Sequence, residues 1–355
     1  MGRPFGARFS VPWLNFRFPQ TPSTGPLRGQ AASPPGRRPR TPRGTVSKMS
    51  LDVGIVGLPG AGKTTLFTAL TGVSPTTYGQ EHVGIASISD ERLEPIAKVE
   101  GSAKTTPATV KLVDPPGLSA PVLGELRKAD ALIAVLGNFG PGADPDHDLE
   151  TIGLELVVAD RDHVEKRLER VRTQAKSGDP RLREEAAELE RLLAHAEAGR
   201  SLQTYDGELP SELDPLTTKP LVRIVNGGDS GIDLKLEAEL GELPPAEAAE
   251  FRDGPSGLEK VLSSLFETAG LLTFFTGGDK ETHAWTLRQG QTALDAAETI
   301  HTDIARGFIR CEVIGWRDLV EAGSRAEAAR RGLQRLEGKE YVVAEGDVLH
   351  IRFNV

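Results

Sequence analysis

Five short apolar runs punctuate the first two thirds of the chain, at residues 51–56, 83–88, 109–113, 131–136 and 221–225. Each has the length of a strand and is bounded by polar or turn residues, so each predicts a buried strand. Between the last two the period becomes helical. Val164, Leu168, Val171 and Ala175 fall on one stripe, and Leu182, Ala186, Leu189, Leu193 and Ala196 on another. Ser177-Gly178-Asp179-Pro180 separates them, and the pattern predicts an antiparallel helical hairpin over about residues 148–200. Its many Glu and Arg residues are expected to be a solvated outer face. From residue 271 the pattern changes again. Runs at 271–276, 282–287, 309–313 and 348–353 predict strands around a helix near 292–301, the elements of a small mixed α/β domain.

No periodic pattern precedes residue 49. Residues 1–48 hold nine prolines and nine Lys or Arg with no Asp or Glu, and are expected to be disordered. Two readings stand for them: a targeting peptide, or a translation start that lies in fact at Met49. The second fits better, because targeting peptides are amphipathic and this segment is not.

Composition narrows the function. No run of about 18 apolar residues occurs, so no membrane span is expected. The one cysteine, Cys311, excludes an internal disulfide and a CxxC metal site, and suits a reducing cytoplasm. The seven histidines show no HxxxH spacing, and no GxSxG elbow is present. The net charge is −9, and with the cationic tail set aside the remainder carries −18. So acidic a body is a poor general binder of nucleic-acid phosphate; DNA is not an expected partner, and any RNA contact is local. Trp285 and Cys311, both in expected strands, are read as core residues.

One motif carries the chemistry. Gly57-Leu58-Pro59-Gly60-Ala61-Gly62-Lys63-Thr64 fits GxxxxGK[ST] between an apolar strand and a helix opening at Thr64. Glycines let backbone N–H groups turn inward around phosphate, and the helix N-terminus adds its positive end. Lys63 is expected to neutralise the β and γ oxygens, and the Thr64 hydroxyl to ligate Mg²⁺. The expected phosphate contacts are Gly57, Pro59, Gly60, Ala61, Gly62, Lys63, Thr64 and Thr65. Asp114-Pro115-Pro116-Gly117 ends another apolar strand and fits the D-x-x-G of nucleotide switches. Asp114 is expected to hold a Mg²⁺-bound water, and the Gly117 N–H to sense the γ-phosphate. Asn226-Gly227-Gly228-Asp229 closes a third strand where GTPases carry N-K-x-D, with Asn226, Gly227 and Asp229 expected at the base.

In this order the motifs resemble the YchF family, the Obg-like ATPases, from about Met49 to Val355. The P-loop strand at 51–70, the approach Pro107-Ala108-Thr109-Val110 to Asp114, and Lys235-Leu236-Glu237-Ala238-Glu239-Leu240 all resemble family segments. The most specific likeness is C-terminal: Phe274-Phe275-Thr276, Ala284-Trp285-Thr286, Ile300-His301-Thr302-Asp303, Gly307-Phe308-Ile309, Glu312-Val313 and Gly346-Asp347. The resemblance implies a GTPase-like three-layer α/β domain over residues 49–270 with the hairpin inserted, and a ubiquitin-like β-grasp (TGS) domain over 271–355. It also implies slow hydrolysis of ATP rather than GTP, and association with the ribosome or its large subunit.

The chain departs from the family at several positions. Gly60 stands where the family has Asn, and Asp229 where it has Glu. The switch I Pro-Phe-x-Thr is missing, with Thr76, Thr77 and Tyr78 nearby. Between Asp229 and Leu236 there is no room for the helix and strand that carry the last base-contacting loop, so selectivity for ATP over GTP is expected to be below about tenfold. Leu118 occupies the place of the water-orienting Gln of Ras-like enzymes, and catalysis is expected to rest on the cradle, the metal or a partner. Two functions remain open: a slow Mg²⁺-dependent hydrolase acting as a switch at the ribosome, or a nucleotide-binding module with little turnover.

Overall fold

The structure, a computed structural model, describes residues 51–354 apart from 76–78, 177, 211, 229–230 and 252–255. The expectations for residues 1–48, for Thr76, Thr77 and Tyr78, and for Asp229 lie outside the described residues. The first part of the chain runs β1 (Leu51–Gly57), α1 (Lys63–Thr71), β2 (His82–Ser87), α2 (Leu93–Glu100), β3 (Thr105–Thr106), β4 (Thr109–Asp114), α3 (Ala120–Leu126), β5 (Ala131–Gly137), α4 (Pro145–Ala175) and α5 (Pro180–Glu197). It continues through β6 (Leu221–Asn226), α6 (Leu234–Gly241), α7 (Pro245–Glu250) and α8 (Gly257–Thr268). The five expected strands are β1, β2, β4, β5 and β6, each within a residue or so of its expected ends.

They form one sheet in the order β2-β4-β1-β5-β6, parallel except for β2. β1 is buried along its whole length because helices cover both faces. Val53 and Ile55 point into a core shared with Leu66 and Phe67 of α1, Leu234 at the start of α6 and Leu258, Val261, Leu262 and Leu265 of α8. On the other face α3 comes so close that a Cβ on Gly54 would stand 2.6 Å from Leu126 Cδ2. The alternation of side chains along the strand puts these contacts on opposite faces, and the sandwich is the expected three-layer α/β domain.

The hairpin forms, with Val164, Leu168 and Val171 of α4 buried against Leu189 and Ala196 of the expected stripe and against Leu192 outside it, while Leu182, Ala186 and Leu193 are only partly buried. Its start differs from the expected one. α4 begins at Pro145, capped by Asp144, and its first turns pack on β1, β5 and α3. One continuous helix thus serves first as a layer of the sandwich and then as an arm of the hairpin. Where it changes role, the buried Asp160 accepts from Arg127 Nη1 at 2.6 Å and from the Leu216 and Thr217 N–H groups at 2.9 Å.

The remaining elements are β7 (Leu271–Thr276), β8 (Thr282–Arg288), α9 (Ala293–Ile300), α10 (Thr302–Arg306), β9 (Phe308–Gly315), α11 (Trp316–Ala322), α12 (Arg325–Arg330), β10 (Arg335–Glu337) and β11 (Asp347–Phe353). They build a sheet ordered β10-β9-β11-β7-β8, in which β11 runs parallel to β7. Cys311 is buried, and burial pushes its thiol up to about 12. Trp285 is half-buried, with its Nε1–H donating to Thr276 Oγ1 at 2.9 Å. The sequence pattern did not show what joins this sheet at its other edge. β3, from between β2 and β4, pairs in parallel with β8 through Thr105↔Thr282 and Thr106↔His283. Beside it, Leu93 and Ile96 of α2 share a core with Phe275, Ala284, Ile314, Leu319 and Val348. Glu100 pairs with Arg325 at 2.7 Å, and the Arg92 guanidinium lies over the Phe275 ring, 5.0 Å from its centroid. The described residues fall within a single compact unit.

Candidate functional site

The C-terminal ends of β1, β4, β5 and β6 meet at one edge of the first sheet, where open α/β sheets bind ligands. From β1 the chain turns through Gly60 (φ +82°) and Gly62 (φ +102°), values that favour glycine, and enters α1 at Lys63. Gly62 has a second reason to be glycine: a Cβ there would lie 2.3 Å from the Asn226 Nδ2. At Gly57 a Cβ would stand 2.6 Å from the Val135 carbonyl oxygen. Gly60 faces open space, with no atom within 4 Å of an added Cβ. Among the described residues, the N–H groups of Gly60, Gly62, Lys63 and Thr64 donate no backbone hydrogen bond. Such donors around a helix N-terminus are what a phosphate requires.

Lys63 folds back over this loop. Its Nζ donates to Gly57 O at 3.0 Å and Leu58 O at 3.2 Å. Burial holds its ammonium below the ordinary lysine value, and the charge of Asp114 opposes that fall. A polyphosphate would draw Nζ off these carbonyls onto its own oxygens.

Thr64 and Asp114 come together as expected, with Thr64 Oγ1 donating to Asp114 Oδ2 at 2.8 Å. Asp114 is 2% exposed, and its Oδ1 has no hydrogen-bond partner. A buried carboxylate oxygen left without a partner is costly unless a cation or its water serves it. The hydroxyl and carboxylate are hard oxygen donors of the kind Mg²⁺ takes, and the pair fits that ion. His82, at the start of β2, was not singled out by its sequence context; its Nδ1 lies 3.7 Å from Asp114 Oδ2. Gly117 follows in an open stretch with no atom within 4 Å of an added Cβ, and Leu118 is half-buried.

Asn226 links the phosphate loop to the base side. Its Nδ2 donates to Ala61 O at 3.0 Å, and its Oδ1 accepts from Leu234 N at 3.3 Å. Its place at the site is thus between the P-loop and α6. Gly227 (φ +85°) and Gly228 (φ +75°) follow in a tight loop closed by Gly227 N–H to Ile232 O at 2.9 Å. Two residues that the motifs did not name stand over this loop. An added Cβ on Gly227 would be 3.4 Å from Phe139 Cδ1, and one on Gly228 would be 2.2 Å from Asn138 Nδ2. The available signal was positional: both follow β5 directly, beside the strand that ends in Asn226.

With this geometry established, comparison with known proteins places the chain. Residues 52–179 match a family described as "50S ribosome-binding GTPase", and residues 271–354 match YchF-GTPase_C, described as "Protein of unknown function (DUF933)". The "Ribosome-binding ATPase YchF" of Bacillus subtilis is 33% identical over 366 residues, covering 86% of this chain and all of the relative. The protein of the same name from Escherichia coli O157:H7 is 31% identical over 363 residues, with the same coverage. Among solved structures, that of the Schizosaccharomyces pombe YchF GTPase superposes with a TM-score of 0.70, covering 85% of this chain and 98% of that one, at 24% identity. Full-length coverage at this identity, together with the matched fold, establishes that the chain belongs to the YchF family.

Proposed function

We propose that this protein binds ATP with Mg²⁺ and hydrolyses it slowly, as a nucleotide-dependent switch that associates with the ribosome. One observation carries the reading: Lys63 and the paired Thr64–Asp114 meet at a helix N-terminus whose N–H groups are free to receive phosphate. Mg²⁺ would be held by the Thr64 hydroxyl and, through water, by Asp114, and would neutralise charge on the β and γ oxygens. Lys63 supplies the second counter-charge. Gly60, Ala61, Gly62 and Thr65 surround the phosphates, with Gly57 and Pro59 shaping the turn. Gly117 offers its N–H to the γ-phosphate. Leu118 has no group to orient water, so turnover rests on positioning and charge, which fits a slow switch rather than a metabolic enzyme.

The ribosome enters from the relatives' names, "Ribosome-binding ATPase YchF", and from the family description matched by residues 52–179. Residues 271–354 are read as the TGS domain, and a ribosomal partner implies a cytoplasmic location. The alternative, a binding module without turnover, makes a different prediction for one experiment. Phosphate release from ATP with Mg²⁺ should be slow but at least about tenfold above that of Lys63→Ala, which should also lose nucleotide affinity while keeping the wild-type fold. Equal rates in the two proteins, with wild-type binding intact, would leave the module reading standing.

A further inference from the structure

At the outer end of the helical hairpin the charge of the body changes sign. Residues 166–183, the last turns of α4 and the first of α5, hold seven Lys or Arg against Glu169 and Asp179, a net +5 in a body of −18. Several hairpin charges answer one another, as expected of a solvated face: Arg167 pairs with Glu185 at 2.8 Å and Arg172 with Glu190 at 2.7 Å. Asp179 caps α5, accepting from the Arg181 N–H at 2.9 Å. Arg170, Lys176, Arg181 and Arg183 are different. All four are exposed, and among the described residues none of their side chains makes an ion pair or a hydrogen bond, with Glu184 or any other acid. Lys176 of α4 and Arg183 of α5 line, together with Arg172, an open groove of about 400 Å³. The other residues along it are Ala175, Ala186, Ala187 and Glu190, and the three methyl groups are too short to screen the cations of the two helices. The arm that carries this groove is stiff. α4 runs 31 residues without a break, about 46 Å, and its first turns pack on β1, β5 and α3.

We infer that the tip of this hairpin docks on the phosphodiester backbone of RNA. The inference rests on the ribosomal partner read above and names the part of the chain that meets it. Charge carries the argument. With residues 166–183 set apart, the rest of the body carries −23 and repels a polyanion, so contact is made where the sign changes. The chemistry of the tip narrows the contact further. Residues 166–183 hold no aromatic ring or histidine on which a base could stack. Their Arg and Lys side chains are donors without acceptors, and Arg suits phosphate oxygens through its planar fork. Contacts of that kind set the position and orientation of a protein on a nucleic acid without reading its sequence. Because the cations come from both arms of one hairpin, they approach the backbone as a fixed group.

Two measurements on the full chain test this: fluorescence anisotropy with a labelled RNA duplex of about 20 base pairs, and co-sedimentation with large ribosomal subunits. The triple variant Lys176→Glu/Arg181→Glu/Arg183→Glu should bind the duplex at least about tenfold more weakly than the wild type at low salt. It should also lower the slope of log affinity against log salt by about two to three, one step for each lost phosphate contact, and lose co-sedimentation. A control moves the same charge change elsewhere: Lys98→Glu/Lys260→Glu/Lys339→Glu, at three exposed lysines, should bind within about threefold of the wild type. The cationic residues 1–48 are common to all three proteins. ATP turnover should be equal in all three, since no replaced residue belongs to the nucleotide site. A tip variant that binds the duplex like the wild type would overturn the inference; if it nonetheless lost co-sedimentation, the tip would meet a ribosomal protein instead. Equal losses in the tip variant and the control would reduce the effect to net charge and overturn the inference too. A wild type that does not sediment with the subunits would overturn the ribosomal reading beneath it.

Discussion

Gly60 stands in the phosphate loop where the family resemblance implies an Asn, and its surroundings set what a side chain there would do. Glycine offers no side-chain oxygen with which to ligate a monovalent cation beside the phosphates. Hydrolysis should therefore run at similar rates in K⁺ and Na⁺, and a tenfold stimulation by K⁺ in a phosphate-release assay would refute this. The site has room for the missing side chain, because nothing lies within 4 Å of an added Cβ and φ is +82°. Asn tolerates that conformation better than most residues. Gly60→Asn is thus expected to fold normally. At this scale the sequence was legible wherever a motif fixes both residue type and spacing, as at Lys63, Thr64 and Asp114. It was silent at Asn138 and His82, where nothing local marks the residue and only the meeting of separate strands gives it a role.

Elements were legible in proportion to their apolar period. β1 and β5 are continuous buried runs, and the hairpin stripes recur at helical spacing, so both could be read in advance. β3 could not, because two half-buried threonines carry no period. α2 has an apolar face in Leu93, Ile96 and Ala97, but a one-dimensional pattern tells only that a face is buried and not what covers it. The pair formed by Glu100 of α2 and Arg325 of α12 measures how firmly that face is held. The Glu100 side chain is 7% exposed and that of Arg325 is 21%. Removing one partner of a buried pair leaves the other charge uncompensated. Glu100→Ala should lower stability by about 3 kcal/mol in urea unfolding, and adding Arg325→Met should recover much of the loss. A change under about 0.5 kcal/mol in the single variant would class the pair with ordinary surface ion pairs.

Across the whole molecule, the strand that brings His82 to the site and the strand that brings Asp114 are neighbours in the first sheet. The chain between them leaves that sheet, lays α2 and β3 on the second and returns. The C-terminal structure is thus built from two separated stretches, roughly residues 88–108 and 271–354. A fragment ending at residue 270 would expose Leu93, Ile96 and Ala97 and leave β3 without its partner strand. That fragment should aggregate or melt well below the intact protein, with nucleotide affinity reduced as well; a soluble, fully binding fragment of unchanged melting temperature would contradict this. The arrangement also bears on descent. A recombination event that carried off residues 271–354 alone would take only part of a folded body and strand the rest inside the donor. A chimera that takes residues 271–354 from a relative is therefore expected to fold only when residues 88–108 come from the same source.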